Sequence, residues 1–235
     1  MPSSPIRLLI HGASGRMGRA LLRLAAADPR FVLVAAVAHR PPTDEPAVPW
    51  YPAAAPEALP AFDVAIDFSL PDGFDAVLAL CEARHAALVS GTTGLTPAQQ
   101  ANLARAATGI PLAWASNFSR GVALLEELVE RAARALPGWD CDIVEAHHAH
   151  KRDAPSGTAL TLGAAAEAGG AHPRYASLRA GDIVGEHLVQ FTGRGERIEL
   201  VHRAGDRDIF ARGALDAAAR LPALPPGRYR PRDLL

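Results

Sequence analysis

Apolar positions along this chain switch between two periods, and each switch marks a change of element. Residues 6–10 form an apolar run, a glycine-rich turn follows, and Leu21, Leu22 and Leu24 then recur at helical spacing, so strand, turn and helix are expected in that order. Residues 31–37 and 64–68 are strand-like, and the proline-rich stretch 41–60 between them is expected to be an irregular surface loop. Helical spacing over 74–84 leads to a short strand at 87–89. Thr96 and Pro97 have the character of an N-cap and first helical residue for a helix reaching about 107, and a strand is expected at 110–114. Strands alternating with helices predict a parallel sheet covered on both faces.

Beyond Asn117 the order changes. A long helical pattern at 121–136 is followed by a strand at 142–147, a dense polar cluster, and a helix at 156–167. Two alternating stretches, 186–191 and 197–201, are expected to be neighbouring antiparallel strands, and 209–221 is again helical. The expected fold class is α/β. An N-terminal Rossmann-like parallel-sheet domain would span 1–118, with 207–235 returning to it, and a smaller α+β domain with a mixed or antiparallel sheet would span 119–206.

Charge narrows the partners. With 24 basic and 25 acidic side chains the net charge is −1, which argues against nucleic acid and for a small molecule. Two cysteines cannot make a disulfide framework, and no apolar stretch is long enough for a membrane span or fits a secretory signal, so a cytoplasmic location is expected. Of the 24 basic residues 23 are arginine, and Lys151 is the single lysine. An ammonium is compact and its proton affinity is tunable, whereas guanidinium is bulky and permanently charged, so a site that donates a proton in tight space distinguishes them.

Gly12, Gly15 and Gly18 form G-x-x-G-x-x-G between the first strand and the first helix. The first glycine permits the turn, the second lets backbone approach a pyrophosphate, and the third allows close helix packing. Where an NAD-selective site places a carboxylate at the end of the second strand, this chain has His39 and Arg40, so NADPH is expected to be accepted at least as well as NADH.

Residues 145–151 hold one glutamate, three histidines and the lone lysine. A metal site ranks below acid–base chemistry, because on a strand residues 145 and 147 face one side and 148 the other. Asp153 is expected to cap the next helix, with Pro155 in its first turn, and the amides around Ser156, Gly157 and Thr158 would form an anion cradle. A histidine, an ammonium and a carboxylate cradle would then share one short segment.

Taken together, GASGRMG (12–18), SGTTG (90–94), ASNFSRGV (115–122), EAHHAHKRDAPSGTAL (145–160), RAGDIVGEH (179–187) and GERIELVHRA (195–204) resemble the 4-hydroxy-tetrahydrodipicolinate reductase family, formerly dihydrodipicolinate reductase. The motifs occur in family order over most of the chain, and the histidine–lysine segment is the most specific of them. The resemblance implies reduction of a cyclic dicarboxylate with NADH or NADPH in the diaminopimelate route to lysine, usually by a homotetramer. It implies His147 as proton donor or acceptor, Lys151 as second donor, and His148, Gly157 and Thr158 on substrate carboxylates. It also implies a cofactor site formed by Gly12, Ala13, Ser14, Gly15, Arg16, Met17, His39, Arg40, Gly91, Thr92, Thr93, Ala115, Ser116, Asn117 and Phe118. His39 stands where many relatives carry an acid, and the 41–60 stretch is shorter and richer in proline than usual. Another Rossmann oxidoreductase would share the glycine turn without the histidine–lysine segment, and a non-catalytic dinucleotide sensor would have lost that segment.

Overall fold

A computed structural model describes residues 4–40, 48–53 and 56–235, the side chain of residue 56 excepted. The chain divides into two compact units, one comprising residues through Phe118 together with Phe210–Leu234, the other Ser119–Ile209 with Leu235.

In the first unit β1 (Ile6–His11), α1 (Arg16–Ala26), β2 (Phe31–Ala38), β3 (Trp50–Pro52), β4 (Val64–Asp67), α2 (Pro71–Arg84), β5 (Ala87–Ser90), α3 (Pro97–Ala106) and β6 (Pro111–Trp114) follow one another. The strands form a parallel sheet in the order β11-β6-β5-β4-β1-β2-β3, where β11 is Gly227–Tyr229 from the C-terminal segment. Chain direction across the sheet reverses between β1 and β4, the switch point at which open α/β sheets bind ligands beyond their strand ends. Strand period explains the layers. Leu8 and Ile10 of β1, Val64 and Ile66 of β4, and Val89 of β5 enter one core with Leu21 and Leu22 of α1. Leu9, Ala65 and Leu88, one step out of phase, enter the opposite core with Phe74, Val77 and Leu78 of α2 and Leu103 of α3.

Thr96 caps α3 as its sequence predicts, accepting from the Gln99 amide while the Gln99 side chain accepts from the Thr96 amide. The 41–60 stretch departs from the expected irregular loop. Trp50–Pro52 adds a parallel edge strand against Ala36, Val37 and Ala38, and Pro56–Ala58 forms a 3-10 turn, while 41–47 and 54–55 lie outside the described residues. At an edge a proline costs no ladder bond, which is why prolines here coexist with a strand.

The second unit contains α4 (Arg120–Ala135), β7 (Asp140–His147), α5 (Gly157–Ala168), β8 (Pro173–Arg179), β9 (Glu186–Gly193) and β10 (Glu196–Arg203), and α6 (Asp208–Arg220) begins at its end. Its sheet order is β10-β9-β7-β8, with β9 antiparallel to both neighbours and β8 parallel to β7. The inward residues of β7, Cys141, Ile143, Glu145 and His147, are buried, and the first two pack with Leu125 and Val129 of α4 and Leu162 of α5. The antiparallel β9–β10 pair matches the alternation of its sequence. β8 gives no such signal, because five of its seven residues are exposed and polar and apolar residues occur on both faces.

Candidate active site

The catalytic segment begins as β7 and ends as α5. After His147 the chain turns, with the Lys151 amide donating to the His148 carbonyl at 3.1 Å and the Ala149 amide to the Gly181 carbonyl at 3.1 Å. α5 starts within one residue of its sequence pattern, but its cap is not the expected one. Its N-cap is Ser156, whose hydroxyl accepts from the Ala159 amide, and not Asp153, which pairs with Lys151 Nζ at 2.9 Å. Pro155 therefore precedes the cap. Pro155 has no N–H for an Asp153 cap to accept, and the serine three residues further on takes the Ala159 amide instead, staying uncharged in a buried position.

Glu145 and His147, two apart on β7, face the same side, and His147 Nδ1 bonds the Glu145 carboxylate. The carboxylate also accepts from both terminal nitrogens of Arg179, at 2.7 and 2.9 Å, and from the Ser156 amide at 3.3 Å. Burial opposes charge on Glu145, but hydrogen bonds from Arg179, Ser177 and His147 outweigh it and hold the carboxyl at about 2. An ionised carboxylate only accepts, so Nδ1 of His147 carries the ring proton and Nε2 presents its lone pair. Burial lowers the proton affinity of His147, Lys151 and Arg179 lower it further, and Glu145 works the other way without prevailing, so the ring is neutral near pH 7.

A second histidine completes the wall. The His187 ring packs edge-on to His147 at 5.2 Å, and its Nε2 lies 3.1 Å from Ser156 Oγ. Ser156 Oγ thus shares a hydrogen bond with His187 Nε2 while accepting from the Ala159 amide. Burial, with His147 next, pushes His187 down to about 4. Gly185 lies beside His147: a Cβ there would be 3.1 Å from Nε2. Gly185→Ala is expected to crowd that nitrogen and lower kcat by about tenfold to a hundredfold, with the melting temperature little changed. Steady-state kinetics beside a thermal melt check this.

The predicted substrate residues divide. His148 is half-buried, Gly157 is exposed at the first position of α5, where helix geometry provides no i−4 acceptor, and Thr158 is buried beside it. Ser156, expected in the cradle, is buried, its amide donating to Glu145 and its hydroxyl bonded to Ala159 and His187. Glu145, Arg179, Gly185 and His187 were given no role by sequence. Their motifs are visible, but Arg179 reaches Glu145 from β8, a strand without a periodic signal.

In the first unit the glycine turn fits a dinucleotide diphosphate. Gly12 has φ +77°, and a Cβ there would stand 2.6 Å from the Phe68 carbonyl oxygen; a Cβ on Gly18 would stand 2.3 Å from the Gly12 oxygen. Gly15, the N-cap of α1, brings no side-chain cap, and its Cβ direction meets only the Gly12 oxygen, at 3.2 Å, within 4 Å. The first amides of α1 are thus left to an anion. Ser14, Arg16, His39, Arg40, Thr93 and Ser116 are exposed, and Met17, Gly91, Ala115 and Asn117 are half-buried. Ala13, Thr92 and Phe118 are buried, so their side chains serve the fold: Ala13 and Phe118 in the core, and Thr92 through its hydroxyl on Asp67 at 2.7 Å.

A parallel sheet with a glycine turn at its switch point, and a separate mixed-sheet unit carrying a carboxylate-oriented histidine beside a lysine, define a two-domain nicotinamide-dependent oxidoreductase. Residues 6–118 match the family profile described as dihydrodipicolinate reductase, N-terminus, and residues 121–235 that of its C-terminus. The chain belongs to this family. It is 68% identical to the 4-hydroxy-tetrahydrodipicolinate reductase of Stenotrophomonas maltophilia (strain R551-3) and 67% identical to that of Xanthomonas campestris pv. campestris (strain B100), in each case over 100% of both chains. In fold it is similar to a dipicolinate-bound dihydrodipicolinate reductase from Paenisporosarcina sp. TG-14, with TM-score 0.81, 23% identity and coverage of 96% of this chain and 97% of the other.

Proposed function

We infer that this chain reduces 4-hydroxy-tetrahydrodipicolinate to tetrahydrodipicolinate with NADPH or NADH in the diaminopimelate pathway of lysine biosynthesis. The observation that carries the site assignment is the Glu145–His147 pair, fixed by Arg179, in the same segment as Lys151 and the start of α5. Over the reaction one hydride and one proton enter and one water leaves. The bound nicotinamide supplies the hydride. Lys151 Nζ donates the proton to the electron density left on the ring, and His147 Nε2, a lone pair at neutral pH, exchanges protons with substrate or water. Gly157, Thr158 and His148 hold carboxylates, with the positive end of α5 favouring them.

Gly12 to Met17, Gly91 to Thr93 and Ala115 to Phe118 line the dinucleotide, the buried members through backbone alone. Arg40, exposed past β2, receives a 2'-phosphate. Arg40→Asp is expected to raise KM for NADPH by roughly tenfold to a hundredfold and KM for NADH only slightly. Equal effects on the two would remove Arg40 from the site.

The assembly is a cytoplasmic homotetramer. Two buried free cysteines suit a reducing compartment, and Ala176, Val144, Leu188 and Val201 stand opposite one another in one row across all four strands of the second sheet, on the side away from its helices. Sedimentation at micromolar concentration reads the assembly. Titration with dipicolinate tests the substrate site: wild type binds it, and Thr158→Val, which lacks the hydroxyl, binds it more weakly. Equal binding would move the carboxylates elsewhere.

A further inference from the structure

We propose that Asp67 is the positioning residue of the dinucleotide site, tying together the three strand ends that carry the cofactor loops. The proposal rests on the first unit being that site. Asp67 is the last residue of β4, with no exposed surface, opposite His11, the last residue of β1, and Ser90, the last residue of β5. Its Oδ1 accepts from His11 Nδ1 at 2.8 Å and from the Ser69 amide at 3.1 Å. Its Oδ2 accepts from Ser90 Oγ at 2.8 Å and Thr92 Oγ1 at 2.7 Å. Two donors on each oxygen leave the carboxylate nothing to offer an approaching anion, and each donor belongs to a different strand end or turn.

The loops that begin one residue later pack on each other at Phe68. A Cβ on Gly12 would lie 2.6 Å from the Phe68 carbonyl oxygen, and a Cβ on Gly91 would lie 2.1 Å from its ring. A small displacement of any one loop therefore moves the others. A buried carboxylate is costly to desolvate, and apolar replacements of such groups are often no less stable, so its use at the switch point of the sheet is explained by geometry it enforces and not by stability. Ordinary hydrophobic contact would tie the same strands without the directed hydrogen bonds that hold His11, Ser69, Ser90 and Thr92 in register.

Asp67→Asn turns one oxygen into a donor facing two hydroxyls. The dissociation constant for NADPH, read by fluorescence titration, is expected to rise about tenfold or more, with dipicolinate affinity and kcat at saturating NADPH changing by less than about threefold. His11→Gln and Thr92→Val, each removing one of the four ties, are expected to raise it by about threefold or more, and they decide the matter if Asp67→Asn does not fold. Unchanged NADPH affinity in the folded variants overturns the proposal, as does an equal fall in cofactor affinity, dipicolinate affinity and kcat, which marks a merely structural residue. If wild-type protein itself binds neither NADPH nor NADH, the assignment of the first unit fails.

Discussion

Glu145→Gln is expected to lower kcat by roughly a thousandfold and to destabilise the second unit by roughly 3 kcal/mol. The side chain keeps its shape, but one oxygen becomes an NH2 group. Arg179 Nη2 and the Ser156 amide donate to Oε1, and Arg179 Nη1 shares Oε2 with His147 Nδ1. Arg179 Nη2 and the amide hold the remaining oxygen at Oε1, so the NH2 group meets His147. The imidazole then gives up its Nδ1 proton and carries it on Nε2, the opposite tautomer. The lone pair required for proton exchange is lost, and one Arg179 nitrogen loses its acceptor. If His147 served packing alone, stability would fall with kcat nearly intact; pre-steady-state kinetics beside chemical denaturation separate the two outcomes.

Lys151→Arg is expected to reduce kcat by about a hundredfold to ten-thousandfold, the range that positioned acid catalysis contributes, with KM for the dicarboxylate changed by less than about tenfold. Arginine retains the positive charge and can still pair with Asp153, which Lys151 holds at 2.9 Å. It does not release a proton near neutral pH. Charge pairing and proton donation thus separate in a single variant. A near-normal kcat would assign Lys151 to orienting a carboxylate and would leave the solitary lysine among 24 basic residues without a chemical reason.

Much of this was legible in the residues, because the physics involved is local. The continuous apolar runs of β1 and β4 and the Gly12, Gly15 and Gly18 spacing announce a parallel sheet and its glycine turn, and the steric demands at Gly12 and Gly18 explain two of the three glycines. The Thr96–Pro97 helix start and the antiparallel β9–β10 pair follow the same logic. What was not legible depends on contacts distant in sequence. Arg179 lies 34 residues from Glu145 on a strand exposed on both faces, and Asp67 lies 56 residues from His11. β3 was hidden by its prolines, and the cap of α5 was assigned to the exposed Asp153 where the buried Ser156 holds it.

The central claim is that one protein binds a nicotinamide dinucleotide on its parallel-sheet unit and uses His147 and Lys151 to complete reduction of 4-hydroxy-tetrahydrodipicolinate. Its most direct test follows nicotinamide absorbance as that substrate is added to enzyme and NADPH, then to enzyme and NADH. Oxidation of one dinucleotide per substrate consumed, lost when His147 and Lys151 are both replaced by alanine, is the predicted result. Absence of turnover with both dinucleotides, or turnover unaffected by that double replacement, would contradict it.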